Sequence, residues 1–281
     1  MPKNVPNQID STLMPFYLPG TPHFVQTLQL FLAHTDEYEA LYPWYLQFLE
    51  SLQSKRFFLE IGIGDGGSLS KDTDQHFQLG IAIEKSVSLL PIINQNCPNT
   101  QVIGKQIEQV SEQEIRTLLA DNTPDFKANN EGEAIFDLVQ IVHFFYYLQE
   151  AEWKALFKRL AKQVRIGGAI FAVLQDETSD YFSLYHQFTP YTYNLRKTGE
   201  WFQTEFTDWQ VTTEVLPGKV TCHSLDTAQQ IAEFMLCYLK FSPLPQRDRI
   251  TRWIKDTLWQ ADTGLYVAQN PQRIIVCHRK C

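Results

Sequence analysis

The sequence has few cysteines, and their arrangement argues against both a disulfide framework and a zinc site. There are five, an odd number, and none belongs to a Cys-x-x-Cys pair: Cys97, Cys222, Cys237, Cys277 and Cys281. Scattered cysteines of this kind are typical of reduced thiols in the cytoplasm. We therefore expect a cytoplasmic protein without structural disulfides.

Long hydrophobic runs are also missing. No apolar stretch approaches the roughly 20 residues that a membrane-spanning helix requires. The first seven residues contain no apolar segment of the kind that a signal peptide carries. From this we expect neither a membrane span nor a membrane partner.

Positive charge is in the minority. The chain has 24 Lys and Arg residues against 32 Asp and Glu residues, which gives a net charge of -8. Proteins that bind nucleic-acid backbones need the opposite balance, because their affinity comes from basic side chains that displace counterions. The composition therefore predicts no nucleic-acid partner and suits a neutral or cationic small molecule better.

Several well-known catalytic motifs are absent as well. The sequence contains no Gly-x-Ser-x-Gly, His-Glu-x-x-His or Walker phosphate loop, which leaves hydrolase, metalloprotease and nucleotide-hydrolysing readings without support. Asp176 and Glu177 follow the fifth predicted strand, but the fourth ends in Gln140 rather than an acidic residue. We therefore expect no metal site.

What the sequence does contain is an alternation of buried strands and amphipathic helices over 281 residues. Short apolar runs predict strands at 56–61, 79–84, 101–104, 134–142 and 168–174. Helical spacing of apolar residues predicts helices at 24–33 and 41–52, and another from Trp153 that stops at Gly167-Gly168. Strands that alternate with helices form a parallel sheet covered on both faces, so the fold class is a doubly wound α/β sheet.

Four regions follow from this pattern. Residues 1–52 are predicted to form an arm and lid helices, and 53–175 the sheet core. Residues 176–208, rich in Tyr and Phe, interrupt the alternation and read as an inserted substrate-pocket region. Residues 209–281 would complete the core and pocket, with strands at 209–215 and 220–223. A closing hairpin is predicted from 264–268 to 273–278, turning at Asn270-Pro271.

A glycine-rich turn follows the first predicted strand. Gly62, Gly64 and Gly66 come directly after Ile61, and glycine lets the chain turn tightly and lets a ligand approach the backbone N–H groups. Glu84 ends the next strand, about 20 residues later, where a carboxylate can accept hydrogen bonds from ribose hydroxyls. Together these features predict a site for an adenosine-containing cofactor, although spacing alone does not distinguish one such cofactor from another.

The order of these motifs resembles that of class I S-adenosylmethionine-dependent methyltransferases. Glu60 with the glycine loop, Glu84, the stretch 136–140 and the stretch 165–169 are similar to successive motifs of that family. The resemblance implies a seven-stranded Rossmann-like sheet and S-adenosylmethionine as cofactor. It implies a cofactor site at Glu60, Gly62, Gly64, Gly66, Glu84, Gln140 and Val142, with Gln106 or Glu108 near the adenine.

A narrower resemblance is to histamine N-methyltransferases. Residues 24–25 with 31–37, 136–147, 178–181 with 184–185, and Asn270 ahead of 274–276 are similar to segments of that family in the same order. The resemblance implies that Glu37 and Asn270 hold an amine substrate. It also implies that aromatic residues wall the pocket, namely Phe24, Tyr147, Tyr181 and Tyr185. Tyr181 and Tyr185 share one helix face, so the alternative for these two is that they pack in the protein interior and do not line the pocket.

His143 is the main departure from that family, which carries glutamine at this position. The difference bears on which amine is bound rather than on the reaction type. Methyl transfer to a neutral amine is an in-line displacement that needs no metal, and a proton must then leave the nitrogen. His143 is the natural acceptor at neutral pH, and Glu37 would orient the amine. We therefore assign both to the catalytic and substrate-binding set.

The sequence thus predicts a monomeric N-methyltransferase for a small amine, such as an imidazole, a guanidine or a similar nitrogen-containing metabolite. Two alternatives stay open at this point. One is a small-molecule O-methyltransferase, and the other is a protein that binds S-adenosylmethionine without transferring its methyl group.

Overall fold

The structure is a computed structural model that describes residues 12–15, 17, 21–124, 126, 133–189, 193–236 and 244–280. Most of the predicted N-terminal arm, together with Cys237 and Cys281, lies outside the described residues. Within them, no helix is both long enough and apolar enough to cross a membrane.

The strands in chain order are β1 (Phe57–Ile61), β2 (Leu79–Ile83), β3 (Thr100–Ile103), β4 (Phe136–Val142), β5 (Val164–Gln175), β6 (Trp209–Leu216), β7 (Lys219–Cys222), β8 (Trp259–Gln260), β9 (Leu265–Gln269) and β10 (Gln272–Arg279). The helices are α1 (Pro22–Leu32), α2 (Glu37–Ser51), α3 (Ser68–His76), α4 (Leu90–Asn96), α5 (Glu112–Asn122), α6 (Glu150–Ala161), α7 (Asp180–Phe188), α8 (Leu195–Glu205), α9 (Leu225–Leu236) and α10 (Arg247–Thr257).

Seven of the strands form the main sheet, in the order β3-β2-β1-β4-β5-β10-β6. The first five are parallel, whereas β10 is antiparallel to both β5 and β6. The strand order reverses at β1 and β4, and in open α/β sheets ligands bind beside such a reversal, at the carboxyl ends of the strands. The predicted doubly wound seven-stranded sheet is therefore confirmed, and its switch point lies next to the glycine turn.

Hydrophobic side chains cover both faces of the main sheet. One face packs against α6 through Trp153 and Phe157. The other packs against α2, whose Tyr45 and Phe48 contact Phe171 of β5. Because both faces are buried, the central strands consist of nearly continuous apolar residues, which is why the sequence identified them.

The glycine pair at 167–168 has a different role from the one the sequence suggested. Helix α6 ends at Ala161, and both glycines lie inside β5. Gly167 has a φ of 80°, and the β4–β5 register shifts there, from Phe136 opposite Val164 to Leu138 opposite Ala169. Between these pairs β4 advances two residues and β5 advances five, so β5 contains three extra residues, and glycine adopts the left-handed conformation there without strain. The glycines thus form a bulge in the strand rather than a helix C-cap.

The predicted closing hairpin is also wrong. Strand β9 pairs with β7 and β8 in a separate three-stranded sheet, whereas β10 enters the main sheet between β5 and β6. The local pattern of two strands around Asn270-Pro271 is real, but the chain changes sheets at that turn. Asn270 therefore lies at the junction of the two sheets, where its backbone N–H donates to the carbonyl of Gly218 at 2.7 Å.

The remaining helices form a second hydrophobic cluster beside this small sheet. Phe31 of α1, Phe234 of α9 and Trp253 of α10 belong to it. Helices α1 and α9 contact each other, and both reach the carboxyl edge of the main sheet. They supply the apolar side of the cavity described below.

Candidate functional site

The glycine turn after β1 creates open space at the sheet edge. Gly62, Gly64 and Gly66 all have positive φ, at 72°, 62° and 69°. A Cβ on Gly62 would approach Phe144 Cδ2 to 2.5 Å, whereas a Cβ on Gly64 would meet nothing within 4 Å. Gly62 thus permits a close packing contact, and Gly64 faces empty space that a side chain would begin to fill.

Glu84 closes one side of this space. Its Oε2 accepts a hydrogen bond from the Gly64 N–H at 3.2 Å, and its Oε1 accepts one from the Ser86 N–H at 2.7 Å. These two backbone donors fix the carboxylate at the end of β2. Each carboxylate oxygen has further lone pairs, so Glu84 can still accept hydrogen bonds from ligand hydroxyls.

Glu60, at the end of β1, is almost fully buried beneath the glycine turn. Its Oε1 accepts hydrogen bonds from Ser70 Oγ at 2.7 Å and from Gln140 Nε2 at 3.0 Å. Burial raises the pKa of Glu60 to about 7, against the two hydrogen bonds, which lower it. Glu60 Oε2 has no hydrogen-bond partner among the described residues. An unpartnered buried carboxylate oxygen is costly, and a ligand that donates a hydrogen bond would relieve the cost.

A second polar group surrounds Glu37, the first residue of α2, which is 1% exposed. Its Oε2 accepts hydrogen bonds from Asn270 Nδ2 at 3.1 Å and from Gln272 Nε2 at 3.0 Å. Its Oε1 lies 3.4 Å from His143 Nε2. Residues from the start of α2, the end of β4 and the start of β10 therefore meet at one carboxylate.

His143 leaves the end of β4 in a left-handed conformation, with a φ of 52°. Non-glycine residues seldom adopt this conformation, and where they do, they often lie at functional sites. The imidazole is parallel to the Tyr146 ring, and its Nδ1 lies 3.5 Å from the Tyr146 hydroxyl. That hydroxyl accepts a hydrogen bond from the Gln175 N–H at 3.0 Å, which fixes the tyrosine beside the histidine.

These two groups of side chains line one continuous cavity of about 360 Å³. At one end lie the glycine turn, Glu84, Gln106 and Glu108. At the other end lie Glu37, its amide partners Asn270 and Gln272, and His143. The apolar side between them consists mainly of aromatic and aliphatic residues from α1, α9 and the turn after β4: Phe24, Leu28, Phe31, Phe144, Tyr147, Phe234 and Met235.

Comparison with solved structures identifies the fold. The chain is similar to a putative methyltransferase from Bacillus halodurans, with a TM-score of 0.56 and 10% identity over 84% of this chain and 97% of that chain. The fold is that of the Rossmann-like methyltransferases. The YcgJ protein from Bacillus subtilis gives a TM-score of 0.56 at 9% identity, over 84% of this chain and 98% of that one.

A third similar structure is a protein of unknown function from Deinococcus radiodurans, with a TM-score of 0.50 and 14% identity over 83% of this chain and 84% of that chain. No family model and no curated protein matches the sequence. The similarity therefore extends to the fold, and the roles of individual residues rest on their geometry in this chain.

Most of the site residues expected from the sequence lie at the cavity. For the cofactor these are Glu60, Gly62, Gly64, Glu84, Gln106 and Val142, and for the substrate Phe24, Glu37, His143, Tyr147 and Asn270. Gly66 and Gln140 are not among the described lining residues. Gln140 is fully buried beneath the cavity, where it donates to Glu60.

Tyr181 and Tyr185 do not lie where the resemblance implied. The resemblance implied that they wall the pocket, but the described lining residues do not include them. Tyr181 packs in the second hydrophobic cluster near Trp253, and the Tyr185 hydroxyl donates to the Met235 carbonyl. Helix α7 packs against α9, which brings these rings beneath α9 instead of into the cavity. Their packing along one helix face, the alternative that the sequence left open, is what the structure contains.

Sequence reasoning missed several polar residues of the cavity, above all Gln175 and Gln272. Gln175 ends β5 and Gln272 begins β10, and the two strands pair there. A signal was present, since Gln272 lies two residues after Asn270. Its relevance depends on a strand pairing across about 100 residues of sequence, which no local pattern indicates.

Asp176 and Glu177, the acidic residues after β5, each form an ion pair with an arginine. Asp176 Oδ2 lies 2.5 Å from Arg273 Nη2, and Glu177 Oε1 lies 2.9 Å from Arg196 Nε. Among the residues that the structure describes, no group of three or more His, Cys, Asp or Glu side chains is arranged to hold a metal ion. The expectation of a metal-free reaction stays a prediction.

Proposed function

We propose that the protein transfers a methyl group from S-adenosylmethionine to a nitrogen atom of a small amine, such as an imidazole, a guanidine or a similar metabolite. The observation that carries the proposal is the continuous cavity of about 360 Å³. It joins the glycine turn and Glu84 at one end to the buried Glu37 and the partly exposed His143 at the other.

The residues at the first end fit the cofactor. The open face of Gly64 leaves room for a ligand against the backbone, and Glu84 retains lone pairs for the two ribose hydroxyls. The unpartnered Glu60 Oε2 suits a donor such as the cofactor's ammonium group. When bound, S-adenosylmethionine supplies a methyl group on a positively charged sulfur atom.

The residues at the second end would orient the amine and take up its proton. Methyl transfer to nitrogen requires a neutral lone pair in line with the methyl–sulfur bond, and alignment of this kind can supply roughly 7–11 kcal/mol. Glu37 Oε1, fixed by the amide network on its other oxygen, would hold one N–H of the amine. His143 Nε2 lies 3.4 Å from that oxygen and has no hydrogen-bond partner among the described residues. It would accept the proton that leaves the methylated nitrogen.

The charges of the lining favour nitrogen over oxygen as the acceptor. Carboxylates outnumber basic groups along the described lining: Glu37, Glu60, Asp65, Glu84 and Glu108 against Lys85, Lys105 and His143. A buried carboxylate stabilises a nitrogen that becomes positive as the methyl group arrives, and it repels the phenolate that most O-methyl transfers use. The nearby rings of Phe24 and Tyr147 would add cation–π attraction.

Turnover on a panel of amines tests the proposal, with S-adenosylhomocysteine as the measured product. Glu84→Ala and Glu37→Gln form a matched pair of variants, because one belongs to each end of the cavity. We expect Glu84→Ala to weaken cofactor binding by about 1–3 kcal/mol. We expect Glu37→Gln to bind the cofactor normally and to lose about 1.5–3 kcal/mol of transition-state stabilisation.

Two results would contradict the proposal in different ways. Cofactor binding without turnover of any amine would favour a non-catalytic binding protein. Turnover of phenols or carboxylic acids, but not of amines, would favour an O-methyltransferase.

The accompanying expectations are a monomer, a cytoplasmic location and no nucleic-acid partner. They can be checked, in that order, by size-exclusion chromatography with light scattering, by cell fractionation and by a gel-shift assay.

A further inference from the structure

We infer that Gln272 is a substrate-recognition residue whose side-chain carbonyl accepts an N–H of the amine, and that Asn270 is a positioning residue that does not contact the substrate. The inference rests on the proposed function and deepens it. It assigns recognition to a residue that the resemblance to histamine N-methyltransferases does not include.

Gln272 combines complete burial with an unused acceptor. The residue is 0% exposed and begins β10, in register with Gln175 on one side and Leu216 on the other. Its Nε2 donates to Glu37 Oε2 at 3.0 Å and to the Asn270 carbonyl at 2.8 Å. Its Oε1 has no hydrogen-bond partner among the described residues, although the residue lines the cavity.

The orientation of the Gln272 amide follows from its neighbours. Rotating the amide by 180° would place its oxygen against a carboxylate oxygen and a backbone carbonyl, both of which only accept hydrogen bonds. The nitrogen must therefore face Glu37 and Asn270. The unpartnered atom is the oxygen, and an unpartnered buried acceptor costs stability unless a donor reaches it.

Asn270 is in the opposite situation, because both ends of its amide are occupied. Its Nδ2 donates to Glu37, and its Oδ1 accepts from Gln175 Nε2. Gln175 is held in turn, because its Oε1 accepts from the Tyr193 hydroxyl. A series of hydrogen bonds therefore runs from the Tyr193 hydroxyl through the amides of Gln175 and Asn270 to the Glu37 carboxylate. Asn270 sets the direction of Glu37 and has little capacity left for a ligand.

The chemistry of the ligand follows from these assignments. The polar end offers two acceptors on adjacent side chains, Glu37 Oε1 and Gln272 Oε1, joined through the 3.0 Å hydrogen bond. A nitrogen group that satisfies both must carry at least two N–H donors. The site would thus select a primary amine, an amidine or a guanidine, each with at least two N–H groups, over a tertiary amine.

Two probe amines isolate this contact. Benzylamine and N,N-dimethylbenzylamine are both cations at neutral pH, but the first offers three N–H donors and the second offers one. Calorimetry with the full chain saturated with S-adenosylhomocysteine measures the ratio of their dissociation constants. We expect wild type to bind benzylamine about tenfold more tightly, as one lost hydrogen bond predicts.

The variant Gln272→Met keeps the length of the side chain and removes the acceptor. We expect the ratio to fall to about twofold or less in Gln272→Met, while affinity for S-adenosylhomocysteine stays within about twofold of wild type. In Asn270→Ala, we expect both amines to weaken together and the tenfold ratio to persist. Any general effect of either substitution on Glu37 acts on both amines and cancels in the ratio.

Each outcome is decisive. A ratio that Gln272→Met leaves unchanged overturns the assignment of Gln272, and so does a ratio near one in wild type, while the proposed N-methylation stands in both cases. A ratio that Asn270→Ala abolishes and Gln272→Met preserves assigns the contact to Asn270 instead. Failure of wild type to bind either amine overturns the assignment as well, whereas the proposed function fails only if no amine of the panel is turned over.

Discussion

At the scale of single residues, the site consists of buried polar groups with well-defined partners and a few unused atoms. Glu60 Oε2, Gln272 Oε1 and His143 Nε2 all lack a hydrogen-bond partner among the described residues, and all three residues line the same cavity. Buried polar groups in folded proteins are normally satisfied. Three exceptions in one cavity are best explained by ligands that complete them.

Glu60 should make stability depend on pH. Its pKa is about 7 in the folded protein against 4.5 for the ordinary side chain, because burial disfavours the charged form. Between these values the folded state binds more protons than the unfolded state, so the free energy of unfolding falls as pH rises from about 4.5 to about 7. The fall amounts to about 3 kcal/mol, and Glu60→Gln should remove it.

Urea denaturation of both proteins without cofactor, at pH 5 and pH 8, measures this effect. Glu60→Gln should gain stability relative to wild type as pH rises. A constant difference between the two proteins at both pH values would contradict the assignment.

His143 should contribute to the rate of the reaction as the acceptor of the amine proton. A positioned general base contributes about 10²–10⁴-fold, so His143→Gln should lower kcat/KM by about 100-fold or more. His143→Asn is the control for backbone strain, because asparagine tolerates a positive φ. An unchanged kcat/KM in both variants would mean that another group takes the proton.

At the scale of elements, the sequence predicts the helices and strands that have a clear local pattern of apolar residues. It does not predict which strands pair when they are far apart in the sequence. The strands of the sheet core and helices α1, α2 and α6 follow from their apolar spacing. The hairpin around Asn270-Pro271 was wrong because adjacent strands can belong to different sheets. Gly167-Gly168 looked like a helix end because a bulge and a C-cap both use glycine at positive φ.

The residues of the site likewise fall into those that local motifs predict and those whose place depends on strand pairing. The glycine turn and Glu84 could be predicted because they are close to strand ends in a fixed order. Glu37 and Asn270 came from the resemblance, and His143 came from its place at a strand end and its chemistry as a base. The structure brings the three together. Gln175 and Gln272 could not be found, since their relevance depends on how β10 enters the sheet between β5 and β6. Tyr181 and Tyr185 were misplaced because a helix face of aromatic residues does not reveal which element it packs against.

Helix α9 connects a buried carboxylate to the cavity wall. Glu233 is 0% exposed, and its Oε1 lies 2.8 Å from Nε of Arg247 in α10, whose side chain is 37% exposed. The next two residues along α9, Phe234 and Met235, line the cavity. Arg247→Met would leave the buried carboxylate without its cation but with its hydrogen bonds from Gln229 and Tyr17, and should lower the free energy of unfolding by about 1–3 kcal/mol.

The double variant Glu233→Gln with Arg247→Met should recover part of that loss, since no buried charge is left unpaired. Urea denaturation of the two variants measures the difference. Equal stability of the single and double variants would mean that the ion pair does not hold α9 in place. The amine KM of the single variant should rise more than its cofactor Kd, because α9 lines the substrate end.

At the scale of the whole molecule, the fold explains why the two halves of the site meet. The strand order reverses between β1 and β4, which places the glycine turn and His143 side by side at the carboxyl edge of the sheet. Helix α2 brings Glu37 to that edge from the N-terminal region, and the passage from β9 to β10 brings Asn270 and Gln272 from the C-terminal region. The cavity thus depends on segments from both ends of the chain and from its middle.

The proposed function requires that a methyl group moves from sulfur to nitrogen in this cavity. The most direct measurement uses S-adenosylmethionine labelled with carbon-13 in its methyl group, incubated with the protein and a panel of primary amines, imidazoles, guanidines and phenols. Carbon-13 NMR of the products distinguishes an N-methyl from an O-methyl carbon by chemical shift. We expect a new N-methyl signal that Glu37→Gln and His143→Gln both reduce. An O-methyl signal alone, or unchanged labelled cofactor in the presence of every amine, would contradict the account.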